Sequence, residues 1–487
     1  MECEAQNQVH EKAGPNPNTK HEMRRSWSQK SSQVAPLDMV PYDSDNSQVV
    51  VPVSTAEEPP PPSTQVRENI DAYSGAYRNL ASLIIFILHI LLALGGMGYL
   101  GFKGIQAALR KGSNRFHIEH WYPQLVAAAA VGAIFSCAWQ WIVVTKPVVM
   151  IKGVLWTSPA LSFMASLMLI STSYSASVGL GIILLLFSVA QALYACWVTS
   201  RIKYASKLLP KSLVAVTQFP GLHHPSYWVI LMAFIWISFW ILGVVGAISQ
   251  KYAALSILAL IVSLGWMMEV LRNIVHVTVA RVVALFYLRG MQSNVHFSFH
   301  RALTTSLGSI SLGSILVPVL EALRVLARAL NLVEGEDEFL FSCAHCYLRV
   351  MEYIFQFGNN WAFVQVAVYG KGFVKAARDT WTMFDARGLE PVINQDLTSS
   401  MCFLSGIASG AVCVIVSGSW TFATHKNLTA TVSFLSFLIG YFMMRITMAM
   451  PQACVCAHYV CYAENPENRA FDGTIADRAK DFQRSVV

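Results

Sequence analysis

Charged residues are scarce in this chain. Asp, Glu, Lys and Arg together make up only 13% of its 487 residues, about half of the fraction that soluble globular proteins carry. A protein that faces water on all sides needs more charge on its surface, so a soluble globular fold is excluded. The formal net charge is +7, but the basic residues are spread between apolar runs and form no basic face interleaved with aromatics. We therefore expect no nucleic-acid partner.

Motifs for nucleotide, metal and disulfide chemistry are missing as well. The sequence has no Walker motif and no Gly-x-Gly-x-x-Gly motif after a strand, so we do not expect it to use ATP or a dinucleotide. Its ten cysteines lack the spacing of a secreted disulfide framework. Two loose clusters, Cys343–Cys346 and Cys454–Cys461, leave a zinc site open, although structural zinc needs four ligands at matched spacing. We predict no cofactor, no bound metal and no enzymatic activity.

Long apolar runs fill most of the chain. Hydrophobic residues make up 54% of it, and runs of about 20 apolar residues, long enough to cross a bilayer as a helix, recur along most of its length. These runs predict an all-α, polytopic helical membrane protein in a lipid bilayer. Eight spans are expected near residues 80–101, 123–144, 150–170, 176–198, 227–249, 254–288, 398–420 and 430–450. Two further spans within residues 302–370 would bring the total to about ten.

The polar ends of the chain are expected to lie outside the membrane. Residues 1–75 are rich in Ser, Gln, Asn and Pro, and such a segment cannot bury enough apolar surface to fold, so we predict a disordered cytosolic tail. Residues 76–462 would form the transmembrane domain, in which Pro451 stops the last span, and residues 463–487 a short cytosolic tail. Most Lys and Arg fall in loops that this arrangement places in the cytosol, although the basic first loop, residues 101–121, contradicts the rule.

Residues 254–288 carry polar side chains in a run that is otherwise apolar. At 3.6 residues per turn, Trp266, Glu269, Asn273 and His276 fall on one stripe of a helix. No Pro or Gly interrupts the second half of the run. We therefore predict one continuous helix with a polar stripe near its inner end.

Two interpretations of Glu269 stay open. A carboxylate inside an apolar helix is costly unless it faces protein or water, which makes Glu269 a candidate for a substrate or proton site. Alternatively, Glu269 pairs with Arg272, three residues further on, and both side chains extend to the membrane interface.

Tryptophans within the spans, Trp240 and Trp266 among them, also have two interpretations. Such residues are typical of the aromatic belt at the membrane interface. An aromatic face is also how proteins bind quaternary ammonium groups, through cation–π attraction. A carboxylate beside that face, as Glu269 would be beside Trp266, supplies the counter-charge for an organic cation.

Four motifs stand out in the second half of the chain. They are Gly265-Trp266-Met-Met-Glu269 with Asn273 to Ala280 after it, the Gly-Ser segment Ser306 to Ser314, Asn360 to Asp379 with its Gly370-x-x-Phe373, and Cys461 to Glu467. Over about residues 230–470, these motifs resemble the choline transporter-like family of membrane proteins. The short first loop, Gly101 to Trp121, is closer to the plant and fungal branch of that family.

The resemblance implies a transporter of ten helices with both termini in the cytosol. Its substrate would be a small organic cation, choline or alternatively ethanolamine, moved by facilitated transport or in exchange for protons. The expected location is the plasma membrane, with trans-Golgi or endosomal membranes as the alternative. A function of another class also stays open, namely a membrane-trafficking or lipid-homeostasis protein of the same scaffold without solute flux.

Six residues are predicted to form the substrate site: Trp240, Trp266, Glu269, Asn273, His276 and Tyr369. The aromatic residues would form a cage around the ammonium group, and the carboxylate would supply the counter-charge or carry a proton. The amide and the imidazole would extend the polar lining. Tyr369, together with Arg378 and Asp379, would also form a packing or gating element.

Overall fold

The computed structural model describes residues 77–109, 122–248, 250–290, 293–333, 358–393 and 396–486. Within these ranges the chain forms helices and turns, and no strand occurs. The prediction of an all-α fold is confirmed. The tail predicted for residues 1–75 lies outside the described residues and stays a prediction.

The first half of the described chain forms eight α-helices. Their bounds are α1 Leu80–Leu109, α2 Tyr122–Thr145, α3 Pro147–Ile170, α4 Ser175–Trp197, α5 Ile202–Ser212, α6 Val214–Gln218, α7 His224–Ile248 and α8 Ala253–Arg289. Short 3-10 turns at 198–201 and 220–223 join α4 to α5 and α6 to α7.

Ten α-helices follow in the second half of the described chain. Their bounds are α9 Val295–Leu303, α10 Leu307–Val333, α11 Ala362–Tyr369, α12 Phe373–Ala386, α13 Glu390–Ile393, α14 Thr398–Cys413, α15 Ser419–Thr424, α16 Thr429–Thr447, α17 Ala449–Glu464 and α18 Thr474–Val486. A π-helical segment, Val414–Gly418, joins α14 to α15.

Eight stretches of the described chain are long and apolar enough to cross a membrane. They coincide with the eight expected spans, which confirms the polytopic helical architecture. The consecutive helices α9 and α10 (to Leu320) pass the same test together, with a bend of 71° between them, and would make a ninth span. The expected total of about ten also relied on residues 340–357, which lie outside the described residues, so that total and the orientation of the termini stay predictions.

Helix α8 lies at the centre of the fold. It runs without a break over 37 residues, as the sequence predicts, and ends at Gly290, whose φ of 61° is the left-handed conformation that glycine adopts freely. From Met267 to Tyr287 nearly every side chain is buried, because α7, α9, α10, α11, α16 and α17 all pack around this half. The polar stripe therefore faces protein and not lipid.

The last apolar span ends close to Pro451, as expected, but the helical region continues beyond this proline. The last apolar span ends at Thr447, and α17 begins at Ala449 with Pro451 in its first turn. A proline is tolerated there because the first N–H groups of a helix have no partner within it. Helix α17 is buried along almost its whole length and contributes to the core beside α8.

The predicted C-terminal tail contains the amphipathic helix α18, which packs on α5 and α13. Its Ile475 is buried, its Arg478 guanidinium lies over the Phe482 ring at 4.7 Å, and Lys211 of α5 forms an ion pair with Asp472 just before it. This part of the tail is thus held against the helical domain. The boundary predicted at residue 462 stays a prediction.

Close approach of α14, α16 and α2 depends on small residues. A Cβ atom on Gly440 of α16 would lie 2.6 Å from Cys413 Sγ and 2.7 Å from the Ser409 carbonyl oxygen, both on α14. Small residues at membrane helix interfaces allow such contacts between backbones. This packing brings the start of α14 and the end of α16 to the buried polar residues of α8.

Candidate substrate site

Glu269 forms two ion pairs in the protein core. Its Oε2 accepts a hydrogen bond of 2.7 Å from Nη1 of Arg272, one turn along α8, and its Oε1 lies 3.5 Å from Nη2 of Arg445 on α16. The Arg272 and Glu269 side chains are only 3% and 13% exposed. The pairing that the sequence offered as one interpretation is thus present, and it is buried between helices. Two guanidinium groups neutralise the single carboxylate.

The ion pairs extend into a hydrogen-bond network across three further helices. Nη2 of Arg272 donates to Oε1 of Gln452 on α17 at 2.6 Å, and Nε2 of Gln452 donates to Oγ of Ser399 on α14 at 3.4 Å. Asn273 Nδ2 donates to Oγ of Ser314 on α10 at 2.9 Å. Buried polar groups need such partners. The network therefore couples α8 to α10, α14 and α17.

A small cavity borders the network at Gln452. Its volume is about 50 Å³, and it is lined by Asn360, Trp361, Asp396, Thr398, Ser399, Gln452, Val455 and Cys456. A single water molecule needs about 10–15 Å³ of such space, so the cavity has room for a few waters. Choline, with seven non-hydrogen atoms, requires it to widen.

Asp396 places a carboxylate in this cavity without a basic partner. Its Oδ1 and Oδ2 accept hydrogen bonds from the Oγ1 (3.0 Å) and the backbone N–H (3.2 Å) of Thr398, which fix the carboxylate at the start of α14. Among the described residues, no Lys or Arg forms an ion pair with it. Trp361, whose ring packs edge-on against Phe384 at 5.8 Å, lines the same cavity. A carboxylate and an aromatic face are the two groups that an ammonium ion binds.

Two of the predicted site residues, Trp266 and Trp240, contact other parts of the fold. Trp266 Nε1 donates to the carbonyl of Ser311 at 3.3 Å, and its ring lies 4.4 Å from that of His89 on α1. Trp240 is fully buried on α7 and donates to the carbonyl of Leu260 at 2.8 Å. The Trp266 indole thus joins α8 to α10 and α1, and the Trp240 indole joins α7 to α8.

His276 and Tyr369 lie at two further places. The His276 ring is fully buried, 5.6 Å from that of Phe363, and neither of its nitrogens has a hydrogen-bond partner among the described residues. Tyr369 donates a hydrogen bond to Glu464 at the end of α17. Burial raises the pKa of the Glu464 carboxyl, an effect that the Tyr369 hydrogen bond and the Lys371 charge oppose. The network brings Glu269 and Asn273 together, and the role of all six residues in a substrate site stays a prediction.

The expected gating element contains an ion pair. Lys371 Nζ lies 2.7 Å from Oδ2 of Asp379 and 5.1 Å from the centre of the Tyr369 ring. Tyr369 and Asp379 are thus linked through Lys371, a residue that the sequence analysis did not single out. Its position between Gly370 and Phe373 in the Gly-x-x-Phe motif was the available signal.

Trp361, Asp396 and Gln452 are the residues that sequence reasoning missed. Asp396 reads as an ordinary loop residue, and Gln452 follows a proline that was expected to end the span. No periodicity joins these three positions, because they lie in separate parts of the chain: before α11, between α13 and α14, and on α17. Nor do the described residues contain a group of three or more His, Cys, Asp or Glu side chains that could hold a metal ion.

Comparison with known proteins gives consistent matches over this region. Residues 182–467 match the profile of the plasma-membrane choline transporter family. A CTL-like protein of Dictyostelium discoideum is 27% identical over 302 residues, 59% of this chain and 54% of that protein. Protein PNS1 of Gibberella zeae is 33% identical over 190 residues, 36% of this chain and 35% of that protein. Protein PNS1 of Neurospora crassa is 26% identical over 370 residues, 69% and 66% of the two chains.

The family match covers more than half of the chain, whereas the chain spans about half the length of the Dictyostelium relative and a third of the Gibberella one. The matched region includes the Glu269 network, the cavity at Asp396 and all six predicted site residues. The resemblance seen in the motifs around Trp266, Ser306, Asn360 and Cys461 is confirmed. The chain belongs to the choline transporter-like family of membrane proteins.

Proposed function

We propose that this protein transports choline, or a related amino alcohol such as ethanolamine, across a membrane by alternating access. The observation that carries the proposal is the Asp396 carboxylate, which has no basic partner among the described residues and lies beside Trp361 in a cavity of the helical core. The description of the matching family as plasma-membrane choline transporters supports the same substrate class and the plasma membrane as location.

The chemistry of the cavity fits a quaternary ammonium ion. Such an ion cannot donate hydrogen bonds from its nitrogen, so it is recognised by aromatic faces and by opposite charge. Trp361 offers the first and Asp396 the second, while Ser399 and Gln452 can bond to the hydroxyl group of choline. Glu269 is less suited to bind the ion directly, because Arg272 and Arg445 already neutralise it.

Widening of the cavity would involve the Glu269 network. Gln452 lines the cavity and accepts a hydrogen bond from Arg272, so a movement of α17 or α14 that admits choline strains or breaks this bond. A proton on Glu269 would weaken its pairs with both arginines and favour that movement. Proton exchange then has a physical route in which Glu269 carries the proton and Asp396 binds the cation.

The predicted cage of Trp240, Trp266, His276 and Tyr369 is the alternative location of the site. The fully buried, unpartnered ring of His276 supports a polar contact at that depth. Substitution of Trp361 and of Trp266 distinguishes between the two locations.

The test is uptake of labelled choline into vesicles that contain the purified full chain. We expect saturable uptake that choline analogues with a charged nitrogen inhibit, and that the neutral carbon isostere 3,3-dimethyl-1-butanol inhibits far less. Asp396→Asn should abolish most of this uptake, whereas Asp385→Asn, on the exposed side of α12, should not change it. Absence of uptake by the parent protein, reconstituted in a folded state, would rule out choline transport.

A trafficking or lipid-homeostasis role without solute flux is the second candidate. The small volume of the cavity favours it, because a site that never widens would conduct nothing. In the same vesicles this candidate predicts no flux of choline or ethanolamine in either direction. It also predicts that Asp396→Asn does not change the signal measured in the uptake assay.

A further inference from the structure

A positively charged cleft lies at the corner between α9 and α10. Three basic side chains line it, Arg78, Arg301 and Lys371, together with the hydroxyl residues Thr305, Ser306 and Ser309. No Asp or Glu is among the described residues that line it. Lys371 is paired with Asp379 at 2.7 Å, whereas Arg301 forms no ion pair among the described residues.

Arg301 is a buried cation without a described partner. It is only 7% exposed, its Nε has no hydrogen-bond partner, and no described carboxylate pairs with it. Arg281, on the facing end of α8, is 9% exposed and bonds through Nη1 to the Ala367 carbonyl at 2.9 Å. The charges of Arg301 and Arg289 act on Arg281 and repel it. A buried charge is costly unless an opposite charge compensates it.

The start of α10 adds donors to the same cleft. Ser309 lines the cleft, and its N–H group belongs to the first turn of a helix of 27 residues, where such groups have no partner within the helix and the dipole favours an anion. Asn79 fixes the geometry, because its Oδ1 accepts hydrogen bonds from Ser309 Oγ (2.9 Å) and from the N–H of Phe373 (3.1 Å). A Cβ on Gly308 would lie 2.5 Å from the Arg78 carbonyl oxygen, so glycine is required for this crossing.

We propose that this cleft binds a phosphate group, with Arg301 and the first turn of α10 as its principal contacts. Guanidinium pairs with phosphate through parallel hydrogen bonds, and a helix N-terminus with nearby hydroxyls completes the coordination of the remaining oxygens. The cleft is too narrow to hold a water molecule, so the phosphate binds at its mouth beside Arg78 or widens it at the 71° corner. This site is separate from the cavity at Asp396 and does not depend on choline transport.

Two sources supply this chemistry, a lipid headgroup at the membrane surface and a soluble phosphate compound. The two arms of the experiment distinguish them.

The experiment measures the thermal stability of the purified full chain in two arms. In detergent micelles, inorganic phosphate is titrated against chloride at matched ionic strength. In lipid nanodiscs, phosphatidic acid in phosphatidylcholine is compared with phosphatidylcholine alone. We expect a saturable rise in the unfolding temperature in at least one arm. A rise in micelles alone identifies a soluble phosphate, and a rise in nanodiscs alone a lipid headgroup.

The variants decide whether the response arises from this cleft. Arg301→Gln should raise the ligand concentration at half-saturation by about tenfold or more, since it removes a charged hydrogen-bond partner. Arg301→Lys should raise it less, and Lys480→Gln, an exposed position on α18 that loses the same charge, should leave it unchanged. Arg78→Gln, at a half-buried position, serves if the Arg301 variants fail to fold. Identical effects of phosphate and chloride in micelles together with no lipid effect, or an unchanged response in Arg301→Gln and Arg78→Gln, would overturn the proposal.

Discussion

Glu269 and Asp396 are both carboxylates of the helical core, and they differ in what neutralises them. Glu269 lies between Arg272 and Arg445, at 2.7 and 3.5 Å. Asp396 accepts hydrogen bonds from the hydroxyl and N–H of Thr398, forms no ion pair with a described Lys or Arg, and borders a cavity. A carboxylate held by two guanidiniums stabilises a particular packing of helices, whereas one without a counter-charge is available to a cation from outside.

The excess of positive charge around Arg301 is the opposite case. There the described residues provide buried guanidinium groups without a carboxylate, and the missing charge is negative. The three places differ in whether the described residues compensate the buried charge. We take an uncompensated charge as the better candidate for ligand binding.

The largest effect is expected where the paired carboxylate loses its closer partner. Arg272→Met should lower the free energy of unfolding by about 3–5 kcal/mol, since removal of one member of a buried ion pair leaves the other uncompensated. It also leaves Gln452 Oε1 without its donor at 2.6 Å. The measurement is unfolding of the purified protein in mixed micelles, with exposed Lys480→Met as the matched control. A loss below about 1 kcal/mol would mean that Arg445 alone satisfies Glu269.

Exchange of the two carboxylates for amides tests the comparison directly. Asp396→Asn should reduce choline uptake by at least about tenfold, as expected for loss of a charged contact, while the unfolding temperature changes little. Glu269→Gln should lower the unfolding temperature, because it removes the buried carboxylate that pairs with Arg272 and Arg445. The reverse pattern, in which Glu269→Gln folds normally and loses uptake, would return the cation site to Glu269.

Much of the fold follows from the sequence, because a span is encoded in about 20 consecutive residues and needs no tertiary information. The continuous helix α8 and its polar stripe were predictable for the same reason. The pairing of Glu269 with Arg272 was also predictable as one of two options, since three residues separate them. Its burial was not, because Arg445 and Gln452 arrive from helices that lie more than 170 residues further along the chain.

The cavity could not be predicted from local patterns. Asp396 lies three residues after the short helix α13, and only the packing of α14 against α17 brings it near Gln452 and Trp361. The continuation of the chain as a helix after Pro451 was not predicted either, since a proline that marks the end of one helix also fits the first turn of the next. A proline that interrupts an apolar run can thus mark the end of one helix or the start of another. The two cases are distinguished only when it is known which side chains around the proline are buried.

Substitution of two tryptophans, Trp361 and Trp266, should have a smaller effect and tests whether the cation binds beside Asp396 or beside Glu269. Trp361→Ala should raise the KM for choline by about 2-fold to 30-fold, since a cation–π contact contributes about 0.5–2 kcal/mol. Trp361→Phe should retain part of the affinity. Trp266→Ala should lower stability through loss of the contacts to His89 and Ser311 with an unchanged KM. A raised KM in Trp266→Ala with a normal value in Trp361→Ala would favour the cage predicted on α8.

The smallest effect concerns Glu464, a third carboxylate, which is half-buried and has a tyrosine as its hydrogen-bond donor. Burial raises its pKa, and the Tyr369 hydrogen bond and the Lys371 charge only partly offset this. The protonated form is therefore favoured by folding. The stability that it contributes is complete below the ordinary glutamate pKa and is lost as the pH rises through the raised value. Glu464→Gln should thus raise the unfolding temperature slightly at neutral pH and flatten its dependence on pH.

The exposed neighbour Glu467 provides the matched control for that measurement. Glu467→Gln should leave the pH profile of the parent unchanged between about pH 4 and pH 8. Tyr369→Phe should displace the loss of stability to higher pH, because the hydrogen bond that lowers the Glu464 pKa is removed while burial remains. If Glu464→Gln instead destabilised the protein at neutral pH, the ionised carboxylate would be the stabilising form. Glu464 would then belong with the compensated carboxylate Glu269, with Lys371 as its counter-charge.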